Sequence, residues 1–175
     1  MPNLHELLKS YWGHTMFLPG QEAIIRSVTS GHDTLAILAT GGGKSLCYQL
    51  PALYRGGLTL VISPLVALMK DQADDCNARG IPAAACTGGL TSREQESITA
   101  RMQDGSLRLL FVSPEKCLQP RFLELLQQCS VRLIAIDEAH CISEWGHDFR
   151  PEYRELARLR TCFPDAPVIA LTATA

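Results

Sequence analysis

The residues best suited to chemistry fall in two places. Thr40-Gly41-Gly42-Gly43-Lys44-Ser45 follows the apolar run Leu35-Ala36-Ile37-Leu38-Ala39 and precedes a helix-compatible LCYQLPAL. Successive glycines let the backbone turn tightly, so that its N–H groups point inward at phosphate oxygens. A helix beginning near Lys44 adds the partial positive charge of its N-terminus. In that geometry Lys44 reaches the β/γ-phosphates of a nucleotide and Ser45 ligates Mg²⁺. The first glycine of the general GxxxxGK[ST] pattern is absent, Leu38 standing in its place. A glycine-rich hairpin with an incidental lysine is the plain alternative, and the order strand, loop, Lys-Ser, helix argues against it.

The second place is Asp137-Glu138-Ala139-His140, directly after the apolar run Leu133-Ile134-Ala135-Ile136. A buried strand ending in two acids offers both carboxylates at the carboxyl edge of a sheet, where α/β ligands bind. Asp137 can hold the Mg²⁺ water shell beside Ser45, and Glu138 can take a proton from water attacking the γ-phosphate. Alone the four residues could be a solvated turn; the preceding phosphate loop makes the nucleotide reading the stronger one.

These groups need a scaffold. Short apolar runs at 34–39, 58–63, 108–113, 132–137 and 167–172, with a weaker one at 83–86, read as strands covered on both faces. Between them, 64–79 places Leu65, Leu68, Met69, Ala73 and Cys76 on one helical face before Gly80, and 91–103 opens on the capping box Thr91-x-x-Glu94. Strands alternating with helices predict one α/β domain, a mainly parallel sheet between two helical layers.

Composition narrows the class. The 175 residues are 46% hydrophobic and 19% charged with a net charge of −2, an ordinary globular balance that gives no global sign of a nucleic-acid binder. No apolar run approaches the roughly 20 residues that cross a bilayer, and Met1–Glu6 lacks the start of a signal peptide, so a cytoplasmic protein without membrane contact is expected. The seven cysteines are scattered without Cys-x-x-Cys or clustered histidines, which predicts small, reduced core residues and no zinc.

From about Phe17 onward the chain resembles superfamily 2 helicases of the RecQ type. TGGGKSLCYQLPAL at 40–53, SPLVALMKDQ at 63–72, LLFVSPEK at 109–116, DEAHCISEWGHDFRPEY at 137–153 and LTATA at 171–175 carry the resemblance. It implies a three-layer α/β/α RecA-like P-loop NTPase domain that uses ATP and Mg²⁺, with Thr40, Gly41, Gly42, Gly43, Lys44 and Ser45 at the phosphates. Residues 141–151 resemble the family's aromatic-rich loop. There Trp145 and Phe149 can stack bases, at about 1–3 kcal/mol per base, and His147 and Arg150 can contact phosphate or base. Either aromatic could instead fill core, Phe149 more readily than Trp145. In Ser63-Pro64 and Ser113-Pro114 the serine caps a helix and proline suits its first position. The family adds a role for Ser63 and Ser113 at DNA phosphates.

Phe17-Leu18-Pro19-Gly20-Gln21 resembles the adenine-recognition motif, with Gln21 offering its amide to the base. Leu18 stands where an arginine is usual and His14 where a tyrosine often stacks. Losing that contact removes about 0.5–2 kcal/mol, which predicts weaker nucleotide binding. Thr172 and Thr174, with His140 as intermediary, are expected to couple hydrolysis to DNA movement. The resemblance further implies a bacterial cytoplasmic or nucleoid protein whose intact form moves 3′→5′ on single-stranded DNA, or on a duplex with a 3′ overhang. That form would need a second RecA-like lobe with an arginine finger, and zinc-binding and winged-helix modules usually follow. None of these is expected within 1–175, so the chain alone should bind Mg·ATP modestly and hydrolyse little. An RNA-directed DEAH ATPase and a non-catalytic nucleotide-binding module are the alternatives.

Overall fold

The computed structural model describes residues 2–39, 43–142 and 149–173. Helices α1 (Leu4–Trp12) and α2 (Gln21–Thr29) lead into β1 (Thr34–Ile37), followed by α3 (Leu46–Arg55), β2 (Leu58–Ile62), α4 (Val66–Ala78) and β3 (Ala83–Cys86). Then come α5 (Ser92–Asp104), β4 (Leu109–Val112), α6 (Pro114–Cys117), α7 (Pro120–Gln127) and β5 (Val131–Ile136). A 3-10 turn (Ala139–Ile142), α8 (Pro151–Glu155), α9 (Arg158–Cys162) and β6 (Val168–Thr172) complete the order. The strands form one parallel sheet in the order β1-β6-β5-β2-β4-β3.

Alternate residues of the central strands feed two apolar layers. Val61, Leu109, Phe111, Leu133, Ala135, Ile169 and Leu171 face Val28, Cys47, Tyr48 and Met69 from α2, α3 and α4. Leu60, Ile62, Leu110, Val112 and Ile134 face Ile98, Met102, Phe122, Leu126 and Leu159 from α5, α7 and α9. The result is the expected three-layer α/β/α domain, with α1 packed on α2 and α3 through Leu4, Leu8, Ile25 and Leu50.

Local signals explain several boundaries. The Thr91–Glu94 capping box forms, with Glu94 N donating to Thr91 Oγ1 at 3.1 Å and Thr91 N donating to Glu94 Oε2 at 2.7 Å. Ser113 caps α6 through Lys116 N at 3.2 Å, with Pro114 in the first turn. All seven cysteines are free, and Cys47, Cys76, Cys117 and Cys141 are buried.

Three expectations fail. The Ser63-Pro64 pair does not open α4; the helix starts at Val66, and Ser63 Oγ instead accepts from Leu65 N at 3.1 Å within the connecting turn. Met69, Ala73 and Cys76 are buried, but Leu65 and Leu68 are exposed, because Leu65 precedes the helix and Leu68 lies in its first turn beside the buried stripe. Lastly, β1 is not covered on both faces. It is a sheet edge with β6 as its one neighbour among the described residues, and Leu35 is 64% exposed.

Candidate nucleotide and nucleic-acid site

The phosphate loop leaves the carboxyl end of β1. Thr40, Gly41 and Gly42 lie outside the described residues, and Gly43 is where the loop re-enters, at φ +74°. A Cβ at Gly43 would press on the end of the Gln21 side chain, and the positive φ is itself a conformation that favours glycine. Gln21 is buried and doubly engaged: Nε2 donates to the Gly43 carbonyl at 3.0 Å and Oε1 accepts from Leu18 N at 2.8 Å. The amide expected to address a base is thus tied to the phosphate loop. Each end of an amide still has a second hydrogen-bonding position, so both roles are compatible. Lys44 and Ser45 form the turn before α3, and the Ser45 hydroxyl makes no capping bond, which leaves it available as a ligand.

The acidic pair continues the line of β5. Asp137 N donates to the Ile62 carbonyl at 2.9 Å, holding the residue on the sheet, and Asp137 Oδ1 accepts from Glu138 N at 2.9 Å. Glu138 has φ +53°, the one positive value outside glycine among the described residues, and it turns the chain sharply off the strand. Burial pushes the Asp137 carboxyl above the ordinary aspartate value; the Glu138 N–H opposes this, the Glu138 charge adds to it, and the Lys44 ammonium and His140 lower it. An ammonium, a free hydroxyl and a partly desolvated carboxylate suit a hard divalent cation with phosphate oxygens.

His140 Nδ1 lies 3.2 Å from Thr172 Oγ1 and 3.5 Å from Glu138 Oε2, bridging the acidic turn to the end of β6. Tyr153, the last residue of the 137–153 stretch and given no role by the sequence, donates its hydroxyl to the Asp137 carbonyl at 2.8 Å. Burial holds this phenol well above its ordinary range. Thr174 lies outside the described residues.

Four of the expected DNA contacts, Phe149, Arg150, Ser63 and Ser113, lie among the described residues. Trp145 and His147 fall outside the described residues. Phe149 is half-buried with the Arg154 guanidinium 5.8 Å from its ring centre, and exposed Arg150 lies 4.0 Å from Glu115. Ser113 is partly buried at the start of a four-residue helix. Ser63 is only 1% exposed, and its hydroxyl accepts from Leu65 N within the turn after β2.

A cavity of about 390 Å³ opens beside the phosphate loop, lined in part by His14, Leu18, Gln21, Gly43 and Ser45. The three residues of the adenine expectation thus come together with the end of the loop. Trp12, Asp75 and Arg79 also line it, and no local motif marks them.

The sequence profile of DEAD/DEAH box helicases matches residues 18–175. The ATP-dependent DNA helicase RecQ of Pasteurella multocida is 53% identical over 97% of the chain, and that of Haemophilus influenzae is 52% identical over 99%. The chain spans 27% and 28% of the length of these two relatives. Among solved structures, the Mycobacterium smegmatis helicase Lhr bound to ssDNA and AMP-PNP superposes with a TM-score of 0.71 at 22% identity, over 97% of this chain and 24% of Lhr. With a phosphate loop, an acidic strand end and a parallel sheet joining them, all inside the matched span, the chain belongs to the DEAD/DEAH box helicase family.

Proposed function

We propose that the chain is the ATP-binding lobe of a RecQ-type DNA helicase, and that residues 1–175 are a single such lobe. The observation that carries this is one parallel sheet that sets the segment ending in Lys44 and Ser45 after β1 and Asp137 and Glu138 directly after β5, in a chain 53% identical to a RecQ helicase. Lys44 would hold the β/γ-phosphates, while Ser45 and Asp137 would hold Mg²⁺, which neutralises developing phosphate charge. Glu138, turned off the strand at its positive φ, is the group to orient water and accept its proton. His140 and Thr172 would relay the state of this turn to β6.

The longer protein is read as an ATP-driven motor moving 3′→5′ on single-stranded DNA. Phe149, Arg150 and the neighbouring 143–148 segment would supply strand contacts, and a second RecA-like lobe the arginine finger, worth about 10³–10⁵ in rate. A cytoplasmic or nucleoid location follows from that activity.

Calorimetry of the 175-residue chain with Mg·ATP tests the nucleotide reading. Binding that Lys44→Ala abolishes is expected, with hydrolysis far below that of the longer protein and no strand separation. Robust unwinding by this chain would overturn the single-lobe reading. Stimulation of the longer protein by RNA rather than DNA would overturn the substrate.

A further inference from the structure

The cavity beside the phosphate loop has a wall that the adenine motif does not supply. Asp75 and Arg79, one turn apart near the end of α4, line it together with Trp12, His14, Leu18 and Gln21. Arg79 is held there from two sides. Its guanidinium carbon lies 5.8 Å from the Trp12 ring centre, and its Nη1 donates to the Tyr11 carbonyl at 3.4 Å. Leu18, half exposed in the same cavity, offers only apolar surface.

We propose that Arg79 is a base-contacting residue of this nucleotide site, delivered from the end of α4 to a cavity whose own motif carries leucine at position 18. The assignment rests on the nucleotide reading above. Its physics is that of a planar cation already ordered on an indole face. A guanidinium stacks on aromatic rings through both its faces, so one side can rest on Trp12 while the other meets a purine. Because contacts to Trp12 and Tyr11 already restrict the side chain, little further rotamer freedom is lost when the base arrives. The contact is made to the ring and not to the phosphates, which belong to Lys44 and the loop. Arg79 therefore acts on affinity for the base and leaves polyphosphate affinity alone.

The test compares Mg·ATP with Mg·tripolyphosphate, which has the phosphates without the base, by calorimetry on the 175-residue chain. Arg79→Ala is expected to weaken ATP about three- to ten-fold and leave tripolyphosphate unchanged. Adding Leu18→Arg to Arg79→Ala, which returns a cation to the cavity from the motif side, is expected to restore ATP affinity. Unchanged ATP binding in Arg79→Ala overturns the assignment, and so does an equal loss of ATP and tripolyphosphate, which marks a change of fold. Lys44→Ala separates the two levels. If it abolishes ATP binding while Arg79→Ala does not weaken it, the Arg79 assignment alone falls; if Lys44→Ala also leaves ATP bound, the nucleotide reading falls with it.

Discussion

The hydroxyl of Tyr153 donates to the backbone carbonyl of Asp137 across 2.8 Å, pinning α8 to the turn that carries the acidic pair. Sixteen residues separate the partners, and the segment between them contains the aromatic-rich stretch. Tyr153→Phe removes only this bond and takes the hydroxyl donor from a part-buried acceptor, which costs about 1 kcal/mol. The urea midpoint should fall with the slope of the transition unchanged. An unaltered midpoint would mean that the bond contributes nothing in solution.

Asp137 is held on the strand at an energetic cost, because burial disfavours its charge. Asp137→Asn keeps an oxygen to accept from Glu138 N and removes the buried charge. Without nucleotide the variant should melt at a higher temperature than the parent chain. With Mg·ATP it should lose the ligand-induced rise, so that the order of the two proteins reverses. A lower melting temperature without ligand would show that the Lys44 and His140 fields outweigh desolvation.

Gly43→Ala places a methyl where Gln21 Nε2 now sits and puts a side chain at φ +74°. ATP affinity should fall more than about tenfold, with a stability loss of about 1–2 kcal/mol. Combining it with Gln21→Ala relieves the clash but not the backbone strain. The two changes should therefore couple, the double variant being more stable than the sum of the single effects predicts. Strict additivity in thermal melts would refute this close approach.

Asp33 ties the start of β1 to β6 and α9. Its Oδ1 accepts from Val168 N at 2.9 Å, and its Oδ2 pairs with Arg160. The Val168 N–H first, then the Arg160 guanidinium, hold its carboxyl below the ordinary aspartate value. A lowered folded-state value means that the stabilisation is complete above the unfolded value, about pH 4, and is lost as pH falls through the folded one. Asp33→Asn should therefore cost about 0.5–1 kcal/mol at neutral pH, a figure already reduced for solvent screening of a half-exposed pair. The difference between the two proteins should shrink below pH 4, and a gap independent of pH would exclude the charge as its source.

Much of this arrangement was legible because it is written locally. Each strand is a short apolar run, and Gly43, Lys44, Ser45, Asp137 and Glu138 sit at the ends of two of them. The failures share a cause. A hydrophobic run does not state how many neighbours its strand will have, so Leu35 and Ile37 read as core yet lie exposed at an edge. Ser63 read as a helix cap because Ser-Pro favours one, but the turn closed on Leu65 first. Trp12, Arg79 and Tyr153 reach the sites through packing between distant helices, which leaves no spacing to detect.

The edge position of β1 has a mechanical consequence. The strand that launches the phosphate loop is steadied from one flank, by the register of Thr34–Ile37 on Ile169–Thr172 and by Leu38 N on the Thr172 carbonyl at 3.1 Å. β1 thus stands two sheet steps from the strand that carries the acidic turn, while α3, which begins just after Lys44 and Ser45, packs on β5 directly. Thr172, at the junction, touches His140 as well. Thr172 is therefore a single post to which the strand that launches the loop and the acidic turn are both fastened.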